Sequence, residues 1–209
     1  MLFDSTGNEY DARIVSFTPN RVNLNIIGTR KTPAEPFVKL TIAQALLKGR
    51  KMDGIIRQLT EIGIHHWQPF IADRSISRPN NKKMQVQTTR WEKIANEAVK
   101  QCRRGRPPIV SPPVCFSDTL NCAKKYKTKL ILWEKATEPL AHCLMGKPPA
   151  DNQQVFLMLG PEGGFTKAEI GAAKDSGLDV VSLGPRILRA ETATLASSVI
   201  VLNCLGELE

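Results

Sequence analysis

Two segments of this chain open on the same Leu-Gly-Pro triplet: Leu159 to Thr166 (Leu-Gly-Pro-Glu-Gly-Gly-Phe-Thr) and Leu183 to Ala193 (Leu-Gly-Pro-Arg-Ile-Leu-Arg-Ala-Glu-Thr-Ala). Each follows an apolar run that reads as a buried strand, Val155 to Met158 before the first and Val180-Val181 before the second, and each leads into a helical pattern. Two such joints confine the chain to folds that gather strand ends at one edge. Open α/β sheets bind ligands where loops leave the carboxyl ends of strands, and glycine there lets a ligand approach the main chain. Gly-Pro also punctuates ordinary strand-to-helix turns. Two copies with charge placed inside each favour a cofactor site.

The rest of the pattern agrees with such a sheet. Val38 to Ala43 reads as the first strand of the main domain, and Met52, Ile55, Ile56, Leu59 and Ile62 follow helical spacing up to Gly63 as the stop. His65 to Ala72 gives the next strand, and a second helix carries Trp91, Ile94, Ala95 and Ala98, with Thr88 or Thr89 as its cap. An Ile109-Val110 edge, a weak helix from Ser117, a buried strand at Leu130 to Trp133 and a loop over 146–154 come next. Thr166 and Glu169 form a capping box, opening a helix that ends near Gly177; a strand over Leu178 to Leu183 and a mostly buried helix from Glu191 to Leu205 complete the chain. The alternation predicts an α/β parallel sheet with helices on both faces. Ahead of it, residues 1 to about 29 read as a small β meander, too short to close a core alone. A linker from Thr29 to Pro36 divides the chain into 1–36 and 37–209.

At 209 residues the chain supports one ordinary domain, or a domain with a small appendage. No apolar stretch reaches the roughly 18 residues that span a bilayer, and the N-terminus, with Asp4 and no basic flank, lacks a signal-peptide pattern. A cytoplasmic protein without a membrane partner is expected. Cys102, Cys115, Cys122, Cys143 and Cys204 include no C-x-x-C pair, and His65, His66 and His142 have no partner at zinc-like spacing. Buried or half-buried thiols and no metal are therefore expected.

The formal charge is +9, and its placement says more than its size. From Arg74 to Arg106, ten cations face only Glu92 and Glu97, a net +8. Such a concentration is the electrostatic footprint of phosphate-backbone binding; a solvated basic face is the competing reading.

The familiar glycine loops do not fit. A P-loop needs glycine-lysine where Phe165 stands, and a dinucleotide fingerprint needs glycine where Glu162 stands. The G-x-S-x-G nucleophile elbow is missing too. Ordinary phosphoryl transfer and acyl hydrolysis lose their support.

Taken together, the two loops resemble those of the bacterial 16S ribosomal RNA (uracil-N3)-methyltransferases of the SPOUT superfamily. Thr60-Glu61-Ile62-Gly63, Arg74-Ser75, Glu97-Ala98 and Gln101 to Arg104 extend the likeness over residues 38–205. The resemblance implies a trefoil-knotted sheet that binds S-adenosylmethionine in the knot, a homodimer, and an N-terminal PUA-like β-barrel, partial here and confined to 1–36. It implies methylation of N3 of a uridine near the decoding site of small-subunit RNA. A non-catalytic RNA-binding assembly protein on the same fold is the alternative, separated from the enzyme by cofactor binding. Carried over by position, Leu159, Gly160, Pro161, Glu162 and Gly163 with Leu183, Gly184 and Leu188 hold the cofactor. Arg74, Arg78, Arg103, Arg104 and Arg106 grip RNA phosphate. One departure is Arg57-Gln58-Leu59-Thr60-Glu61, where relatives more often have Gln-Lys-Ala-Thr-Glu.

Methyl transfer to uracil N3 needs loss of the N3 proton and an in-line approach to an electrophilic methyl. Positioning supplies much of that, and a fixed cation stabilises the developing uracilate. Arg189 is the expected cation, or it orients the uridine or its phosphate; structural pairing with Glu191 or Glu162 is the other reading. Glu191, like Glu162, is a candidate general base if its pKa is raised. Capping a helix N-terminus is the other role open to both.

Overall fold

Strands with consecutive apolar residues need cover on both faces. The computed structural model, which describes residues 2–4, 7–32, 35–145 and 153–208, supplies that cover for the main domain and not for the N-terminal segment. There β1 (Leu2–Phe3), β2 (Asn8–Thr18) and β3 (Arg21–Lys31) form an antiparallel sheet in the order β1-β2-β3. The long β2–β3 pair turns through Pro19-Asn20 and leaves Ile14, Val15, Phe17, Val22, Ile26 and Ile27 exposed. Within the described residues this segment is an open ribbon.

The main sheet contains β4 (Lys39–Ala45), β5 (His66–Ile71), β6 (Ile109–Val110), β7 (Val114–Cys115), β8 (Thr128–Leu132), β9 (Gln154–Leu159) and β10 (Asp179–Val181). Its order is β10-β8-β9-β4-β5-β6, with β7 also paired to β5, and every pair is parallel. The helices are α1 (Lys51–Ile62), α2 (Asn81–Cys102), α3 (Phe116–Ala123), α4 (Leu140–Leu144), α5 (Lys167–Asp175) and α6 (Ala190–Cys204).

Successive side chains of a strand point to opposite faces, so the continuous apolar runs split into two cores. Leu40 and Ile42 of β4 and Val155, Leu157 and Leu159 of β9 join Ile55 and Leu59 of α1, Trp91 of α2 and Val201 of α6. Ala43, Ala45, Phe156 and Met158 face the other way, onto Leu120 of α3 and Ile170 and Ala173 of α5. Trp67 and Trp91 meet edge to face at 5.0 Å in the first core. The expected α/β sheet with helices on both faces is the observed architecture.

Boundaries differ where polar residues hide an element. α2 starts at Asn81, and its cap is the Asn80 side chain, which accepts from Lys83 N–H at 3.0 Å, not Thr88 or Thr89. Thr88 lies inside the helix and donates to the Met84 carbonyl. The first turns carry so few apolar residues that a stripe beginning at Trp91 could not announce them. β10 ends at Val181, because Ser182 is taken up by Glu138 and Leu140 in a bridge beside the sheet. Of the loop expected over 146–154, residues 146–152 lie outside the described residues and Gln154 already belongs to β9. The five thiols are free, Cys115 being exposed rather than buried. Among the described residues, no helix is long and apolar enough to cross a membrane.

Candidate functional site

Leu159 ends β9, and the loop after it is held from several sides. The Phe165 ring lies against Gly160: a Cβ there would come within 3.2 Å of the ring, so any larger residue would push the ring back by a few tenths of an ångström. Gly164 N–H closes a tight turn on the Pro161 carbonyl at 2.9 Å. Thr166 caps α5, accepting from Glu169 N–H at 3.2 Å while Glu169 accepts from Thr166 N–H at 2.8 Å, the reciprocal box that the sequence predicts. The other Glu169 oxygen takes Asp73 N–H at 2.9 Å, and Arg74 donates to the Gly163 carbonyl at 2.8 Å. The end of β5 and the end of β9 are thus stitched together.

The second loop runs from Leu183 to Arg189 and is far more exposed. Gly184 sits at φ +95, a backbone region that side chains strain to adopt, with no heavy atom within 4 Å of where a Cβ would stand. Ile187 is 86% exposed. Arg189 is the N-cap of α6 without a side-chain capping bond.

Between the loops lies a cleft of about 540 Å³, within the roughly 300–1,000 Å³ usual for small-molecule sites. Every expected cofactor residue lines it: Leu159, Gly160, Pro161, Glu162 and Gly163 from one side, Leu183, Gly184 and Leu188 from the other, with Arg189 and Glu191. The same wall includes Lys51, Trp133 and Glu134, which sequence reasoning did not single out. Trp133-Glu134 directly follow a buried strand, a position that signals a ligand edge; Lys51 at the start of α1 gives no comparable local signal.

Lys51 sets the electrostatics. Its ammonium lies 3.2 Å from Glu162 and 3.1 Å from Glu191. For Glu162, partial burial pushes the pKa up, but hydrogen bonds from its own N–H and from Lys48 N–H, together with Lys51, outweigh it and hold the carboxyl below its ordinary value. Glu191 is lowered first by its own backbone N–H, against burial, and then by Lys51. The hydrogen bond to Glu191 raises Lys51 despite its desolvation. Carboxylates held anionic in this way are poor proton acceptors for a group as weakly acidic as uracil N3–H. The structure therefore gives Glu191 a binding partner, not the raised pKa that a base requires. Among the described residues, the cation within ion-pair distance of both is Lys51; Arg189 makes no ion pair at that distance, though its charge also helps to hold the Glu191 pKa down.

Of the five arginines expected to hold RNA, Arg74, Arg78, Arg103 and Arg106 are exposed. Arg104 is a correction: it is 4% exposed. Its guanidinium donates to the Thr60 carbonyl at 2.9 Å and lies 3.7 Å from Glu35. Glu35 also accepts from Gly105 N–H and Arg106 N–H. A guanidinium buried where it ties the linker to α1 is out of reach of a phosphate. Arg103 takes the left-handed conformation that ends α2, φ +62, and this reversal sends the neighbouring side chains opposite ways. Among the described residues, no cluster of three or more His, Cys, Asp or Glu is placed to hold a metal.

Residues 33–202 match the RNA methyltransferase domain family. The chain is 32% identical over 182 residues to the ribosomal RNA small subunit methyltransferase E of Mesomycoplasma hyopneumoniae, covering 87% of this chain and 77% of that protein. It is 32% identical over 192 residues to the Bacillus subtilis protein of the same name, covering 90% and 75%. Among solved structures, the Neisseria gonorrhoeae ribosomal RNA small subunit methyltransferase E bound to S-adenosyl methionine aligns with a TM-score of 0.86 at 29% identity, covering 99% of this chain and 83% of that one.

Proposed function

The chain belongs to the RNA methyltransferase family that includes the ribosomal RNA small subunit methyltransferases E, and from that premise we propose that it transfers a methyl group from S-adenosylmethionine to N3 of a uridine in 16S ribosomal RNA, near the decoding site. The observation that carries this reading is the convergence of both Leu-Gly-Pro loops on one ligand-sized cleft.

The cleft suits the cofactor. Leu159, Leu183, Leu188 and Trp133 offer an apolar wall for an adenine, and the open space over Gly184 leaves its main chain approachable. Glu134, with no ion-pair partner among the described residues, places a carboxylate in the same wall for the cationic end of the molecule or its ribose hydroxyls. When bound, S-adenosylmethionine supplies an electrophilic methyl on a sulfonium centre. The two loops hold donor and acceptor in line. Arg189, exposed at the mouth of the cleft, holds the uracil as its N3 proton is lost to solvent and negative charge develops. Arg74, Arg78, Arg103 and Arg106 grip the phosphates around the target.

The finer architecture belongs to the same proposal. After β10, outside β8, the chain crosses back so that α6 packs on α1 and β4. Gln44 of β4 is bonded both to the Gly160 carbonyl and to Thr194 of α6. This return past the first loop supports the trefoil knot. Residues 1–36 are read as part of a PUA-like barrel and 37–209 as the methyltransferase domain, in a cytoplasmic homodimer.

A silent RNA-binding protein has no use for the cleft, and the test separates the two. Calorimetry with S-adenosylmethionine is expected to give binding that Gly184→Val abolishes. Small subunits from cells lacking the activity are expected to gain one N3-methyluridine by nucleoside mass spectrometry. RNA binding without methyl transfer would leave the assembly reading standing.

A further inference from the structure

One cation joins three parts of the chain that are distant in sequence. Lys51 opens α1, Glu162 lies in the first loop, and Glu191 stands in the first turn of α6 just after the second loop. The Lys51 ammonium lies 3.2 Å from Glu162 Oε1 and 3.1 Å from Glu191 Oε2, and Lys48 N–H donates to Glu162 Oε1 at 3.1 Å. We propose that Lys51 is a positioning residue for methyl transfer, an ammonium latch that fixes the spacing of the two loops and so the width of the cofactor cleft. The proposal rests on the methyltransferase reading above.

Without the latch, two carboxylates would face each other across the cleft and push the loops apart; the ammonium turns that repulsion into attraction on both sides. The two loops do not depend on it equally. The first is already anchored by Phe165, the capping box and Arg74. The second has exposed Arg186, Ile187 and Arg189 and no side-chain cap; α6 packs on α1 further along, and Glu191 adds the ion pair that fixes the start of α6, where this loop ends, to α1. The lowered carboxylates and raised ammonium keep all three groups charged across neutral pH. Side-chain exposures of 36%, 28% and 29% put the trio within reach of solvent, which limits the latch to a modest effect. That effect falls on the geometry of the cleft more than on the fold.

The experiment uses the full chain with Lys51→Met, which keeps the length and removes the charge, and Lys51→Arg, which keeps the charge. Lys51→Met is expected to raise Kd and KM for S-adenosylmethionine roughly five- to tenfold, with kcat at saturating cofactor within about twofold and the melting temperature within a few degrees. Lys51→Arg is expected to restore most of the affinity. Glu191→Gln should weaken binding in the native background and add little to Lys51→Met, the non-additivity of a shared contact. Hydrogen exchange on the ligand-free protein supplies a readout that needs no cofactor. The first hydrogen-bonded amides of α6, from Ala193, which donates to the Arg189 carbonyl at 2.8 Å, are expected to exchange faster in Lys51→Met, while those of Gly164 and Thr166 in the first loop stay close to wild type. Equal exchange in the two proteins, or a loss of affinity that tracks melting temperature and is not rescued by arginine, overturns the latch. Wild-type protein that fails to bind S-adenosylmethionine overturns the methyltransferase reading instead, and the exchange comparison still decides the latch.

Discussion

The two Leu-Gly-Pro loops start alike and are held in unlike ways. In the first, Phe165 is 3% exposed and stacks on Phe70 with centroids 6.4 Å apart and planes 6° from parallel. Glu169 closes the capping box and reaches back to Asp73, and Arg74 binds the loop carbonyl. In the second, Gly184 to Ile187 stand in solvent and α6 begins without a side-chain cap. The shared triplet fixes only how the chain leaves a strand. The residues beyond the triplet, Phe-Thr-x-x-Glu in one case and Ile-Leu-Arg in the other, decide whether the loop becomes a fixed wall or a presented edge. A cleft that must hold a small molecule and also meet a large one has use for both.

The comparison breaks most visibly at its anchored side. Phe165→Ala removes a ring that packs against Phe70, Phe116 and Gly160. It is expected to cost about 3–5 kcal/mol of stability, read by denaturant unfolding, and to weaken cofactor binding by letting the first loop drift. A cost under about 1 kcal/mol would mean that the first loop is no better fixed than the second.

How much of this was legible depends on whether the signal was local. The continuous apolar runs of β4 and β9, the Thr166 box and the Gly63 stop are each written within a few residues, and each appears where the pattern puts it. Placing the loops side by side was legible too, because parallel strands deliver their carboxyl ends to one edge. Lys51 was not: it is one lysine among many, and only the return of α6 onto α1 brings Glu191 to it. Arg104 was misread for a related reason. Arg103 and Arg104 look the same in a charge run, and only the left-handed turn at Arg103 and the approach of Glu35 from the linker send one outward and the other inward. Charge counting finds a basic segment, but it does not say which of its members are free.

Arg189 sharpens the comparison on the exposed side. If the second loop is presented for chemistry, Arg189→Ala should leave the melting temperature nearly unchanged, because the side chain is exposed and lies within ion-pair distance of no carboxylate among the described residues, acting on Glu191 only at longer range. Turnover on small subunits is expected to fall about a hundredfold, the scale of losing one preorganised group that stabilises developing charge, with cofactor affinity retained. Equal turnover in the variant would return Arg189 to a structural role.

The smallest expected effect is at the tip of the second loop, and its smallness is informative. Ile187 is 86% exposed, so replacing it with serine removes almost no buried surface, and stability should move by less than about 0.5 kcal/mol. If, as proposed, this loop meets the RNA, a branched apolar side chain held in water beside Arg186 and Arg189 would rest against a nucleobase or sugar. Ile187→Ser is therefore expected to raise KM for the subunit about two- to threefold, a few tenths of a kcal/mol of lost contact, while KM for S-adenosylmethionine stays constant. Steady-state kinetics with each substrate varied in turn separates the two. A clear drop in melting temperature would mean that the tip is packed rather than presented, and the contrast between the loops would be lost at its most exposed residue.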